Sequence, residues 1–221
     1  MYPSMKISGC IFDMDGVVVD SAKHHFTAWK MLADELSIQF SKQDNKLLKG
    51  LSRLDSLEKI LSLGSLELDS KTKLQLMDKK NSIYLYLVSK MGENEILPGV
   101  KDLILELRRE GIGVCLGSSS KNATVILKNV NLFNLFDGVV DGNHITLSKP
   151  DPEVFLKGAE ILGLSPSECI VFEDAASGVE AALSGGFFAL GIGDASELSS
   201  ANSVVTDLSG MTLKKLNQIT G

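Results

Sequence analysis

The sequence predicts an α/β fold: a Rossmann-like parallel-sheet core with an all-helical cap inserted after its first strand. Three observations carry that expectation. Apolar runs of strand length alternate with helical periodicities in the C-terminal half of the chain, the pattern of a parallel sheet with right-handed crossovers. A similar apolar run, Ile7 to Phe12, stands alone near the N-terminus. Between them lie roughly 70 residues of helical pattern with no convincing strand, too long for a connection inside one domain. The expected division is a core of residues 1–20 and 95–221 and a cap of residues 21–94.

Taken in order, the first strand closes on Asp13-Met14-Asp15-Gly16, where glycine can take the positive φ of a sharp turn. From Ala22 to Leu36, Phe26, Trp29, Leu32, Ala33 and Leu36 share one helical face. Gly50-Leu51-Ser52-Arg53 follows, with Ser52 and Asp55 spaced as a capping box, and Leu54, Leu57, Ile60 and Leu61 make a second stripe. A third helix, from Lys71 to Met91, carries Leu74, Met77, Asn81, Tyr84, Leu85 and Val88 at helical spacing. Leu97-Pro98-Gly99 breaks the pattern, and hinges are expected near Asp20 to Ala22 and Glu93 to Pro98.

Beyond the break, a helix through Val100, Leu103, Ile104 and Leu107 ends at Gly111. Ile112 to Leu116 reads as a buried strand opening into Gly117-Ser118-Ser119-Ser120, followed by a helix with Val125 to Leu127 and Val130. A short strand at Gly138 to Val140 precedes Ser148-Lys149-Pro150-Asp151-Pro152, where the prolines suit a loop entering a helix N-terminus. That helix stops near Gly163. Cys169 to Phe172 is the fourth strand, closed by Glu173-Asp174, and a helix through Val179 to Leu183 ends at Gly185-Gly186. Phe187 to Ile192 is a fifth strand, Val204-Val205 a weak sixth, and a C-terminal helix carries Leu213 and Leu216.

Apolar content of 44% with 23% charged residues is ordinary globular composition. The net charge of −6, with no Lys/Arg run, gives no nucleic-acid face. No stretch approaches the ~18 apolar residues of a membrane span. Asp13 and Asp15 interrupt the first hydrophobic stretch, so the N-terminus lacks a signal pattern. Cys10, Cys115 and Cys169 fall in or beside apolar runs and read as reduced structural thiols. A cytoplasmic monomer is expected.

Four regions at strand ends carry chemistry: Asp13 and Asp15, then Ser118 to Ser120, then Lys149, then Glu173 and Asp174. Alone, each has an ordinary reading as a cap, a polar loop or a surface lysine. In a parallel sheet, however, the carboxyl ends of the strands share one edge, where ligands bind. Clustered carboxylates repel unless a cation neutralises them, and hard oxygen ligands suit Mg²⁺. With one Mg²⁺ and Lys149 offsetting charge, a phosphate can approach an aspartate, held by Ser118, Ser120 and backbone N–H groups. Phosphoryl transfer consists mainly of such positioning, and a carboxylate can be its nucleophile.

These motifs, in this order, resemble the haloacid dehalogenase-like phosphotransferase superfamily, and the resemblance covers the whole chain. It implies Asp13 as nucleophile and Asp15 as general acid/base. It also implies a Mg²⁺ ion held by Asp13, the Asp15 backbone carbonyl and Asp174, with Glu173 in or near the metal shell. Lys149 would balance charge between Asp13 and the phosphoryl group. A closer likeness is to the β-phosphoglucomutase family, through His25 to Lys30, Lys49 to Leu57, Lys80-Asn81 and Ser118 to Asn122. That likeness implies that His25 couples the hinge to Asp15, and that Arg53 and Ser52 bind a far phosphate. Trp29 and Lys49 would line the sugar side, Lys80 would contact substrate, Ser118 and Asn122 would serve the near phosphate and its loop, and Ser21, Gly50, Ser119 and Ser120 would also belong to the substrate-binding set. Ser21 stands where the family often has Thr, Ser119 where Ala is commoner, and Ala175 where a hydroxyl is frequent.

A mutase needs two phosphate sites and must exclude water from its aspartyl-phosphate, whereas a phosphatase needs one site and admits water. Arg53, at a capped helix start beside Lys49, Gly50 and Ser52, suits the second phosphate. Cap closure would exclude water and bring His25 into line with Asp15. The expected substrates are small sugar phosphates: β-glucose 1-phosphate and glucose 6-phosphate, interconverted through the 1,6-bisphosphate. A sugar-phosphate phosphatase is the alternative.

Overall fold

A computed structural model describes residues 6–49 and 51–221; Gly50, expected to bind substrate, lies outside the described residues. One sheet holds six parallel strands in the order β3-β2-β1-β4-β5-β6. These are β1 (Gly9–Phe12), β2 (Gly113–Gly117), β3 (Gly138–Val140), β4 (Cys169–Glu173), β5 (Phe188–Ile192) and β6 (Ser203–Val205). Every residue of β1 and β4 is buried, which is why these strands read as unbroken apolar runs rather than alternating ones. At the centre, Phe12 lies opposite Leu116 on one side and Phe172 on the other, its ring stacked on that of Phe172 at 4.2 Å.

Strand bounds differ from the sequence pattern in detail. The first strand starts at Gly9 rather than Ile7, although Ser8 already donates its N–H to the Glu168 carbonyl (2.9 Å) and accepts from Gly113 N–H (3.0 Å). The second runs one residue further than expected, since Gly117 pairs with Val140. Glu173 belongs to β4 itself, pairing with Gly191.

The chain divides into two compact units, one running through Asp20 and resuming at Gly92–Gly221, the other Ser21–Met91. In the first unit, α5 (Val100–Arg109), α6 (Ala123–Asn129), α7 (Glu153–Leu162), α8 (Ala176–Ser184) and α9 (Leu213–Thr220) accompany the sheet. The chain on either side of the insert is stitched together within this unit. Asp20 N–H donates to the Glu95 carbonyl (2.9 Å), Leu97 N–H donates to the Val18 carbonyl (3.0 Å), and Val19 bridges Ile96 in antiparallel sense. All three cysteines are free and buried. Burial pushes the Cys115 and Cys169 thiols up to about 12, so neither is a reactive thiolate.

The second unit holds α1 (Ala22–Glu35), α2 (Lys42–Lys46), α3 (Arg53–Leu63) and α4 (Ser70–Val88), with a core of its own around Trp29, Leu32, Phe40, Leu57, Ile60 and Leu61. Helix α2 has no counterpart in the sequence pattern, since its residues, KQDNK, bury nothing; it stands on a capping box between Ser41 and Asp44. At α3 only half the expected box forms. The Ser52 hydroxyl accepts from Asp55 N–H (3.1 Å), but the Asp55 carboxylate returns to that hydroxyl (2.6 Å) instead of the Ser52 backbone.

Candidate active site

Backbone bonds at the end of β1 place the first acid. Asp13 N–H donates to the Phe172 carbonyl of β4 (3.0 Å), so Asp13 emerges beside the end of that strand. The following turn folds back on itself: Val18 and Val19 N–H groups both reach the Met14 carbonyl, and Gly16, at φ +82°, donates to Val19. Lys149 arrives from the loop before α7. That loop is pinned by Glu153, whose carboxylate accepts from the N–H groups of Thr146 and Leu147, both at 2.8 Å.

The Lys149 ammonium is buried and makes three bonds: to Asp13 Oδ1 (2.5 Å), Glu173 Oε2 (2.8 Å) and the Gly117 carbonyl (3.2 Å). The Phe155 ring lies against it at 4.6 Å. Burial alone would pull the Lys149 pKa down, but Asp13 and Glu173 together hold it above the usual lysine value. Asp13 is held well above the usual carboxylate range, by burial first and by Glu173 second, with Lys149 opposing. One ammonium is therefore outnumbered by the acids around it.

Asp13, Glu173 and Asp174 each offer an oxygen within 4.8 Å of the others. An all-oxygen, strongly anionic set of this kind fits a hard divalent cation. Glu173 is held at both of its oxygens. Its Oε1 accepts from the N–H groups of Asp174 and Ala175, and its Oε2 from Lys149. Asp15 is half-buried one turn on, and its side chain is not part of the three-acid cluster.

The end of β2 supplies the third part. Ser118 N–H donates to the Val140 carbonyl (2.9 Å), Ser120 N–H to the Ser118 hydroxyl (3.1 Å) and Asn122 N–H to the Ser120 hydroxyl (3.3 Å). The two outer serines thus shape the loop, and each hydroxyl keeps its proton to donate to an anion. Ser119 Oγ is buried and makes no hydrogen bond among the described residues.

In the helical unit the expected residues form two groups. Lys80, expected to contact substrate, is buried; its ammonium meets His25 Nδ1 at 3.0 Å and lies over the rings of Trp29 (4.8 Å) and Tyr84 (4.7 Å). The ammonium has only protons to offer, so Nδ1 of His25 is the acceptor and Nε2 carries the imidazole proton. Trp29, expected to line the sugar side, sits in the unit's own core. Arg53, at the first position of α3, donates to Asn81 Oδ1 of α4 (2.9 Å). Burial lowers the Arg53 pKa, opposed by Asp78 and Tyr84. Lys49 is exposed after α2, and Ser21, fully buried, precedes α1, its carbonyl accepting from the N–H groups of His24 and His25.

Residues 7–186 match the family model for haloacid dehalogenase-like hydrolases. The chain belongs to that family. Among relatives of this haloacid dehalogenase-like chain, a beta-phosphoglucomutase from Bacillus subtilis is 40% identical over 94% of this chain and 93% of its own. A fructose-1-phosphate phosphatase from Escherichia coli is 30% identical over 85% of this chain and 97% of its own. The crystal structure of a beta-phosphoglucomutase from Clostridium difficile superposes with a TM-score of 0.92 at 34% identity, covering 97% of each chain.

Three parts of this haloacid dehalogenase-like site are not foreseen in the sequence. The Gly117 carbonyl on Lys149 is backbone chemistry, which residue types do not advertise. Glu153 lies at the start of a helix and looks like a solvated acid until its N–H partners are seen. Asn81 and Tyr84 sit on the helical stripe of α4 that the sequence shows, but no spacing within that stripe reports the bond from Arg53 to Asn81.

Proposed function

We propose that this protein is a Mg²⁺-dependent phosphohexomutase that interconverts β-glucose 1-phosphate and glucose 6-phosphate through β-glucose 1,6-bisphosphate. The chemical half of this reading rests on the Asp13–Lys149–Glu173 arrangement. Asp13 attacks phosphorus, its carboxylate oxygen forming the new P–O bond as the bond to the sugar oxygen breaks. Asp15 gives a proton to the departing oxygen and takes one back from the hydroxyl that attacks the aspartyl-phosphate. Lys149 stays charged and spreads positive potential over Asp13 and the entering phosphoryl oxygens. The hydroxyls of Ser118 and Ser120 and the N–H groups of their loop hold the oxygens that do not react. Asp13, Asp174 and the Asp15 carbonyl would hold the Mg²⁺, whose charge offsets that of the acids and the phosphate.

The observation that carries the mutase over the phosphatase is the 40% identity to a beta-phosphoglucomutase across almost the whole chain, the helical unit included. That unit also supplies what a second phosphate needs, a guanidinium fork beside the Ser52 hydroxyl at a capped helix start. The deciding assay incubates the protein with β-glucose 1-phosphate, Mg²⁺ and a trace of bisphosphate, and follows glucose 6-phosphate and inorganic phosphate together. Isomer should form with little phosphate released. Phosphate without isomer would overturn the mutase and establish the phosphatase.

A further inference from the structure

We propose that Asn81 is a positioning residue for Arg53: it fixes one arm of the guanidinium with a neutral acceptor, adding no negative charge to compete with a phosphate. This rests on the reading of Arg53 as ligand to the sugar's second phosphate. The bond joins residues 28 apart in sequence, from α3 to α4, at 2.9 Å. A guanidinium has donors only, so the atom of Asn81 that meets it is the carbonyl oxygen.

The residue type is informative. Asn81 lies in the interior of a long helix, between Met77 and Tyr84, which pack inward. Asparagine is a poor helix former, and an apolar residue would serve that position better for stability alone. An aspartate of nearly the same shape would hold Arg53 more strongly, but as an ion pair that competes with an incoming anion. The amide orients without neutralising. Asp78, one turn earlier, acts on Arg53 through charge but makes no hydrogen bond to it among the described residues. Arg53 is half-buried, so a fixed arm also limits the conformations it must give up when a phosphate arrives.

Asn81→Asp and Asn81→Ala test this, with Arg53→Ala as reference. The readouts are the dissociation constant for glucose 6-phosphate by titration calorimetry, the KM and kcat of isomerisation, and the rate of Asp13 phosphorylation by acetyl phosphate, which carries one phosphate only. Asn81→Asp should weaken glucose 6-phosphate binding by about tenfold or more, the scale of one charged hydrogen bond. Asn81→Ala should weaken it several-fold. KM should move more than kcat, and sugar-phosphate binding more than phosphorylation by acetyl phosphate. Because Asn81 acts through Arg53, the Asn81→Ala/Arg53→Ala double variant, which adds no charge, should bind no more weakly than Arg53→Ala alone. Wild-type affinity in Asn81→Asp overturns the proposal, as does a double variant whose loss is the product of the two single losses. Should Asn81→Asp fail to fold, Asn81→Ala and its double variant decide the question. A wild type that neither binds glucose 6-phosphate nor isomerises overturns the mutase reading, and this proposal with it; a competent wild type with indifferent variants overturns Asn81 alone.

Discussion

Replacing Gly16 by alanine sets two separable costs against each other. Gly16 has φ +82°, a left-handed conformation that costs an L-residue roughly 1–2 kcal/mol. A Cβ built there would also lie 2.0 Å from Asp174 Oδ2 and 2.7 Å from Asp174 Cγ. The obstructing atoms are the far end of a side chain, so the carboxylate can swing aside while the backbone stays. The strain should therefore appear as lost stability and the collision as lost metal affinity. We expect Gly16→Ala to lose about 1–2 kcal/mol in urea unfolding and to bind Mg²⁺ on the order of tenfold to a hundredfold more weakly by titration calorimetry. Gly163→Ala is the control: φ is +66°, in the same unit, with nothing within 4 Å of the added Cβ. It should show the strain and keep the metal affinity. Unchanged Mg²⁺ binding in Gly16→Ala would refute the assignment of Asp174 as a ligand. A stability loss above about 4 kcal/mol would refute the idea that the side chain, not the chain path, gives way.

Gly178→Ala should behave oppositely, because its Cβ would meet Glu173 Cδ at 2.1 Å and Glu173 is tied by Lys149 and two N–H groups; its loss in urea unfolding should exceed that of Gly16→Ala, and an equal loss would mean Glu173 is loosely held. Asp13→Asn should abolish isomerisation and phosphoenzyme formation in rapid-quench experiments, and retained turnover would remove Asp13 from its role. Lys149→Met strands two buried carboxylates and should cost about 3–5 kcal/mol, whereas Lys149→Met in an Asp13→Asn background should cost measurably less; additive losses would deny the pairing. The Glu153 carboxyl is drawn down to about 2 by the Lys157 ammonium and by the N–H groups of Leu147 and Thr146. Its hold on the Lys149 loop is thus complete above the ordinary glutamate range and fades only as pH falls toward that value. Carboxyl-carbon NMR titration should give that midpoint, and a midpoint in the ordinary glutamate range would contradict the bonding.

How much of this is readable in advance depends on whether a signal is local. The parallel sheet is legible because its central strands, β1 and β4, are buried throughout and punctuated by glycine, and because the acids and the Ser118 loop sit at or just beyond strand ends. Helix α2 is illegible, since no apolar stripe marks a helix that buries nothing. Lys80 resists for a different reason. A lysine in a helix normally reads as solvated, and the convergence of Trp29, Tyr84 and His25 around it comes from two separate helices. The Arg53–Asn81 bond spans two helices, and no spacing rule along one chain segment reports it.

The clasp between Val18–Asp20 and Glu95–Leu97 bears on how freely the insert can vary. As far as the sheet is concerned, the polypeptide leaves and returns through a closed gate, so whatever is threaded between behaves as a cassette. Lengthening a closed loop adds entropy cost only logarithmically. The helical unit can therefore change in length or sequence at little cost to the sheet and to the acids at its strand ends.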